Sequence, residues 1–224
     1  MPKVLVAIST VADGSMYDRT NPENQSVIAN RESYLKSLGV SMDQTTRVNT
    51  KYESDDYCRY REATDEDKGS GMRDDRVAIA DGVVTRQKDH ALLLPVADCV
   101  GAAIFDPLQN ILMVTHLGRH SLEQQGGIRS IAYLVDNYGS KPKTLKIWLT
   151  PAPNKEIYPI WALDNKGMKE VTFEQLKSAG ILDENIIDNP ADSATDENYY
   201  SYSEYLKGHR QEDGDHVIVA MMTD

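Results

Sequence analysis

Residues 91 to 116 read ALLLPVADCVGAAIFDPLQNILMVTH. Three apolar, β-rich runs, Ala91 to Asp98, Gly101 to Phe105 and Asn110 to His116, are set apart by turn residues such as Asp106-Pro107, and this spacing predicts central strands. Arg76 to Thr85 predicts a fourth strand just before them. Beyond lies a predicted helix from about Leu122 to Tyr138, with Ile128, Ile131, Ala132, Val135 and Tyr138 on one face and Gly139 as its stop. A strand at Leu145 to Leu149, helices at Val171 to Ala179 and Glu197 to Leu206, and a strand at His216 to Met222 follow. Upstream, Lys3 to Ile8 predicts a strand. Asn21-Pro22-Glu23 offers an N-cap, a first-turn proline and an acid for a helix that runs to Leu38 and closes at Gly39. Strands and helices mix without strict βαβ alternation, so the expected class is α+β, a mixed β-sheet core flanked by helices.

The 224 residues (25.1 kDa) suit one domain spanning 1–224, long enough to bury a core without staples. Glu53 to Arg76, rich in both charges and nearly free of aliphatic residues, is expected to be a solvated loop within that domain. With 24 Lys+Arg against 35 Asp+Glu the net charge is −11, which argues against nucleic acid or an anionic membrane as the main partner. No apolar run approaches the roughly 18 residues of a membrane span, and Val4 to Ile8 is shorter than a signal-peptide core, so a soluble cytoplasmic protein is expected. The two cysteines, Cys58 and Cys99, form no CxxC and fit free thiols in a reducing compartment.

Nucleotide-phosphate loops, HExxH, GxSxG and the zinc-deaminase signature are all missing. What remains is Asp98-Cys99 at the end of one predicted strand and His116 at the end of another, followed by Gly118, Arg119 and His120. Strand ends are where a rigid scaffold presents reactive groups. Cys99 reads as a small buried hydrophobe, a metal thiolate or a nucleophile paired with an imidazole; His116 reads as a satisfied core residue or a ligand; His120 reads as a surface residue or a site residue. Arg31 falls on the apolar stripe of the first helix, with Val27, Tyr34 and Leu35, either packing its stem or meeting an anion.

Four segments taken together resemble one known family: Asp81-Gly82-Val83-Val84-Thr85-Arg86-Gln87, Ala97-Asp98-Cys99, His116-Leu117-Gly118-Arg119-His120-Ser121, and Ala194-Thr195-Asp196 to Tyr199-Tyr200-Ser201-Tyr202, with Asn30-Arg31 similar to its NR pair. Their order and spacing are those of the laccase-domain, or polyphenol oxidase, family. The resemblance covers about Asn30 to Met222. It implies zinc-dependent purine nucleoside phosphorolysis, with adenosine, inosine, guanosine or methylthioadenosine as substrates, and in some members adenosine deamination. It also implies a metal held by the histidine of a QVH motif, the cysteine of ADC and the first histidine of HAGWRG. Cys99 and His116 match the last two; at the first position the sequence has Arg47-Val48-Asn49, so Asn49 stands where an imidazole is expected. An amide oxygen is a much poorer zinc donor than imidazole or thiolate, so zinc is expected to be weakly held or absent. Arg119 and His120 occupy the tryptophan and arginine positions of HAGWRG. On this reading Asp98, Cys99 and His116 are catalytic, and Arg31, Arg119 and His120 form the phosphate and substrate contacts. The alternatives are a degenerate member that binds a nucleoside or a protein without catalysis, and a metal-free Cys/His hydrolase or transferase.

Overall fold

The computed structural model describes residues 3–224. Its strands are β1 (Lys3–Ile8), β2 (Thr45–Arg47), β3 (Tyr60–Glu62), β4 (Gly82–Thr85), β5 (Ala91–Val96), β6 (Val100–Asp106), β7 (Ile111–Leu117), β8 (Lys146–Leu149), β9 (Ile186–Asp188) and β10 (His216–Thr223). The helices are α1 (Gln25–Ser37), α2 (Arg119–Glu123), α3 (Gly126–Tyr138), α4 (Met168–Ser178) and α5 (Tyr202–Leu206). The class is α+β, as expected, but the strands form two sheets rather than one. The first has the order β1-β10-β5-β2 and the second β3-β4-β7-β6-β8-β9.

Alternating side chains explain why these strands read as unbroken apolar runs. Leu92, Leu94 and Val96 of β5 pack with Ile218, Ala220 and Met222 of β10 against Ala103, Phe105, Leu112 and Val114 of the second sheet, so one core fills the space between the sheets. The intervening Ala91, Leu93, Val217 and Val219 face α1 through Tyr34 and Leu35. On the far side, Ala102, Ile104 and Met113 meet Leu122, Ile131, Leu134 and Leu176 of α2, α3 and α4. The result is helix, sheet, sheet, helix, with every central strand covered on both faces.

Local chemistry moved several boundaries. Asn24, not Asn21, caps α1: its side chain accepts from the Ser26 N–H, and Asn21 instead closes a turn onto the Asn24 N–H. The helix expected at Leu122–Tyr138 starts earlier and breaks, because Gln125 takes φ +62° and Gly126 lies so close to Ser121 that a Cβ there would sit 2.0 Å from its Oγ. Buried Gln175 bridges the break, accepting from the Gly127 N–H and donating to the Leu122 carbonyl. The expected helix at 197–206 shrinks to α5, and the strand expected from Arg76 shrinks to β4. The charged stretch 53–76 is less loose than its composition implied: it contributes β3 and buries Cys58, Ala63 and Met72, with Arg61 paired to Asp67 and Arg73 to Asp43. No helix among the described residues is long and apolar enough to cross a membrane.

Candidate functional site

Cys99 sits in the tight turn between β5 and β6, and His116 lies near the end of β7, paired across the ladder with Gly101 at the start of β6. Adjacent strand ends therefore bring the two together. The turn demands an unusual backbone: Asp98 has φ +81°, a region that side-chain-bearing residues rarely adopt. Its carboxylate is held at both oxygens, accepting from Ser193 Oγ at 3.0 Å and from the Ser203 N–H at 2.7 Å. Asp98 thus fastens the Cys99 turn to the segment before α5 through Ser193 and to the first turn of α5 through Ser203. The His116 N–H donates to the Asp81 carbonyl at 2.7 Å, and Asp81 in turn carries a two-pronged ion pair from Arg59.

Gly118 closes the site from below. A Cβ there would lie 2.8 Å from Cys99 Sγ and 3.0 Å from His116 Nε2, so thiol and imidazole converge on one small space that only glycine leaves open. Above, the Tyr52 ring stands edge-on to His116, with ring centroids 6.1 Å apart. Burial pushes the Cys99 thiol up to about 12, with the Asp98 charge adding to it. Burial also pushes His116 down to about 4. At neutral pH the pair is therefore an uncharged thiol beside an uncharged imidazole.

These residues floor a lobe of about 380 Å³ that Asp98, Cys99, His116, Arg119 and His120 all reach, walled by Tyr52, Tyr158 and Tyr202. A second lobe of about 320 Å³, lined by Arg47, Asn49 and Lys51 among others, shares Arg19, Tyr52, Pro95 and Asp215 with the first. Asp215 is buried at that shared wall, with Oδ1 on Arg19 at 2.8 Å and Oδ2 unpartnered, and burial raises it to about 7 despite Arg19. Arg31 belongs to neither lobe. It is 1% exposed, and its guanidinium donates to the carbonyls of Met16, Gly71 and Met72, which corrects the expectation of a phosphate contact. Its stem packs, as one of its two sequence readings had it, but the head meets backbone rather than water.

Sequence reasoning missed Tyr52, Arg19, Asp215, Tyr158 and Tyr202 as site residues. Asp215 had a signal, an acid directly before an apolar strand; Tyr52 and Arg19 sit in irregular segments with no periodic pattern to expose them.

A family model described as multi-copper polyphenol oxidoreductase laccase matches residues 10–165. The chain belongs to that family. It is 24% identical over 136 residues to the purine nucleoside phosphorylase YlmD of Bacillus subtilis (strain 168), a match covering 60% of this chain and 48% of that protein, so it spans about half the length of that curated relative. In fold it is similar to the hypothetical protein YfiH of Bacillus licheniformis (TM-score 0.83, 19% identity, 97% of this chain and 92% of that one). It is equally similar to YlmD of Geobacillus stearothermophilus (TM-score 0.83, 16% identity, 99% and 92%).

The family implies a metal, and the donor set here does not fit one well. Among the described residues no three His, Cys, Asp or Glu side chains lie together in a way that could hold a metal ion. Cys99 and His116 converge, but Asn49 lines the second lobe and donates its amide to the Val77 carbonyl. His120 is stacked on Tyr57 with ring centroids 4.7 Å apart, and its Nε2 lies 3.2 Å from Arg119. The other three histidines are engaged or enclosed: His90 bonds Thr46, His209 bonds Glu204, and His216 is buried against Tyr199. Two strong donors without a third fall short of a three-ligand zinc centre, and several-histidine copper sites lack their ligands altogether.

Proposed function

We propose that the Cys99–His116 lobe binds a purine nucleoside and that phosphate cleaves its N-glycosidic bond there. The observation that carries this reading is the lobe itself: tyrosine walls around a convergent Cys99–His116 floor, in a chain whose family includes a named purine nucleoside phosphorylase. A purine stacks on tyrosine faces, a contribution of about 1–3 kcal/mol per base. In the reaction an oxygen of hydrogen phosphate bonds to the anomeric carbon as the carbon–nitrogen bond breaks. The bonding electrons stay with the purine, which takes the proton that phosphate gives up.

This chain's residues act by position and polarity. Neutral His116 and the Cys99 thiol offer hydrogen bonds to the base or ribose without adding charge near a sugar that becomes cationic. Arg119 and His120, on the open side of the lobe, receive the attacking phosphate. Asp98 shapes the turn that presents Cys99. No step is assigned to zinc; two donors would hold it weakly, in competition with protons on both. The raised thiol and lowered imidazole disfavour the metal-free nucleophile, since the proton stays on sulfur.

A panel of adenosine, inosine, guanosine and methylthioadenosine, with and without phosphate and with metal content measured on the same sample, tests the reading. Phosphate-dependent release of free purine supports it. Binding without release in any combination supports the non-catalytic nucleoside-binding alternative instead.

A further inference from the structure

Arg19 stands at the wall where the two lobes join into one groove, and the reaction described above gives it no task. Its place is fixed with unusual thoroughness for a residue in irregular chain. The Asp18 carboxylate beside it accepts from the Thr20 and Asn21 N–H groups at 2.8 and 2.9 Å and from the Asn24 amide at 2.8 Å, which ties the segment to the start of α1. The Met16 N–H donates to the Asp215 carbonyl at 2.9 Å, which ties the same segment to the chain entering β10. At the tip, Nη1 pairs with Asp213, Nη2 pairs with Asp215, and the guanidinium carbon lies over the Tyr202 ring, 4.4 Å from its centroid. Tyr202 therefore supports Arg19, and the faces left for a stacked base are those of Tyr52 and Tyr158. A guanidinium has five N–H donors; the two aspartates take one from each terminal nitrogen, and the others have no acceptor among the described residues. The other polar groups of the Cys99 lobe are occupied: Asp98 is held at both oxygens, and Arg119 lies against His120. Arg19 is thus a rigid fork of donors with capacity to spare, its side chain 29% exposed, on the lining of a lobe walled by tyrosines.

We propose that Arg19 is the residue that chooses the base: its free N–H groups donate to O6 and N7 of a purine, so that the lobe selects 6-oxopurine nucleosides, inosine and guanosine, over adenosine. The inference rests on the nucleoside reading and names the substrate class within it. Hypoxanthine and guanine present two adjacent acceptors on that edge, and a forked arginine is their commonest partner. Adenine presents an acceptor at N7 but an amino donor at position 6, which leaves one arginine N–H facing another donor. Discrimination of this kind is strong because the wrong base strands a desolvated polar group instead of merely fitting less well. The two aspartates offset the charge of Arg19, so recognition works by donor geometry and not by net charge.

Calorimetric titration of the full chain with inosine, adenosine and 7-deazainosine, in the absence of phosphate, tests the inference without any need for turnover. Inosine is expected to bind at least about tenfold more tightly than either of the others, since adenosine misplaces the donor at position 6 and 7-deazainosine lacks the N7 acceptor. Arg19→Gln is expected to remove the preference for inosine and to leave adenosine bound at least as tightly, because a carboxamide matches the N6 and N7 pair of adenine. A purely structural role for Arg19 would weaken all three nucleosides alike and leave their ratio unchanged. Because Arg19 ties two aspartates and its loss can disturb folding, the comparison of inosine with 7-deazainosine on the unmodified chain carries the decision. Equal affinity for these two, equal affinity for inosine and adenosine, or an unchanged ratio in a folded Arg19→Gln variant overturns the proposal. If nucleosides bind and are cleaved without such a preference, the phosphorylase reading stands and the role of Arg19 falls. If no nucleoside binds, both fall. A preference for inosine that depends on Arg19 in a chain with no turnover supports the role of Arg19 while removing the phosphorylase reading.

Discussion

The two lobes of the groove share a wall and little else. The Cys99 lobe is built from strand ends, where the β5–β6 turn and the end of β7 are fixed by ladder pairing. The Arg47 lobe begins where β2 stops after three residues, and most of it is irregular chain from 48 to 53. In the first, burial favours the uncharged forms of the thiol and imidazole; in the second, a buried arginine is paired with Asp75 and laid over Tyr17. The contrast separates two tasks: regular structure holds a precise, neutral floor, and irregular structure supplies an adjustable charged edge.

The sharpest way to break the contrast is at Gly118. Its replacement by alanine places a methyl 2.5 Å from His116 Cε1 and 2.8 Å from Cys99 Sγ, so one of the two must move. Nucleoside turnover should fall at least about a hundredfold and stability by about 1–3 kcal/mol, read by steady-state rates and urea midpoints. Unchanged turnover in a folded Gly118→Ala variant would show that the convergence of Cys99 and His116 is not used.

Asp215, on the shared wall, gives a pH-dependent comparison. Burial holds its folded pKa at about 7, above the ordinary carboxylate value of 3.8, so its stabilising contribution is full below about 4 and is lost as pH rises through 7. Asp215→Asn removes that loss while Arg19 keeps Asp213. Between pH 5 and pH 8 the variant should therefore gain about 2 kcal/mol relative to the parent chain, measured by denaturant midpoints at both pH values. A constant difference across that range would mean that Asp215 is already ionised at pH 5.

The smallest effect is expected at Asn49, on the second lobe's side. Asn49→His offers a second imidazole, and so a third ligand, to Cys99 and His116 across the shared wall, and zinc retained after dialysis against a mild chelator should rise about tenfold. No rise in a folded variant would mean that residue 49 belongs to the charged lobe alone.

The same division decides what could be read from the sequence. The strands β5, β6, β7 and β10 were legible because residues covered on both faces make unbroken apolar runs, and the Cys99–His116 pairing followed from where those runs end. The split into two sheets was not, since a run covered on both faces looks the same whether a helix or another sheet lies above it. Arg31 was legible as a residue needing a partner, but not as one whose partners are the carbonyls of Met16, Gly71 and Met72, 15 to 41 residues away. Asn49 and Arg47 stood out as departures from a motif. That they line a lobe of their own depended on the path of the irregular chain, which no periodicity records.

The order of strands in the first sheet bears on how the protein emerges during synthesis. Strand β1 pairs only with β10, and β10 also pairs with β5, so residues 3–8 have no sheet partner until residues 216–223 have left the ribosome. The second sheet draws all its strands from residues 60–188 and can assemble while translation continues. For that interval the inner face of the second sheet, with Ala103, Phe105, Leu112 and Val114, lacks its cover from β10 and is exposed to chaperones or to neighbouring nascent chains. Slowing translation after residue 190 should prolong that exposure, and the Cys99 turn, which waits for Ser193 and Ser203, is among the last parts of the molecule to set.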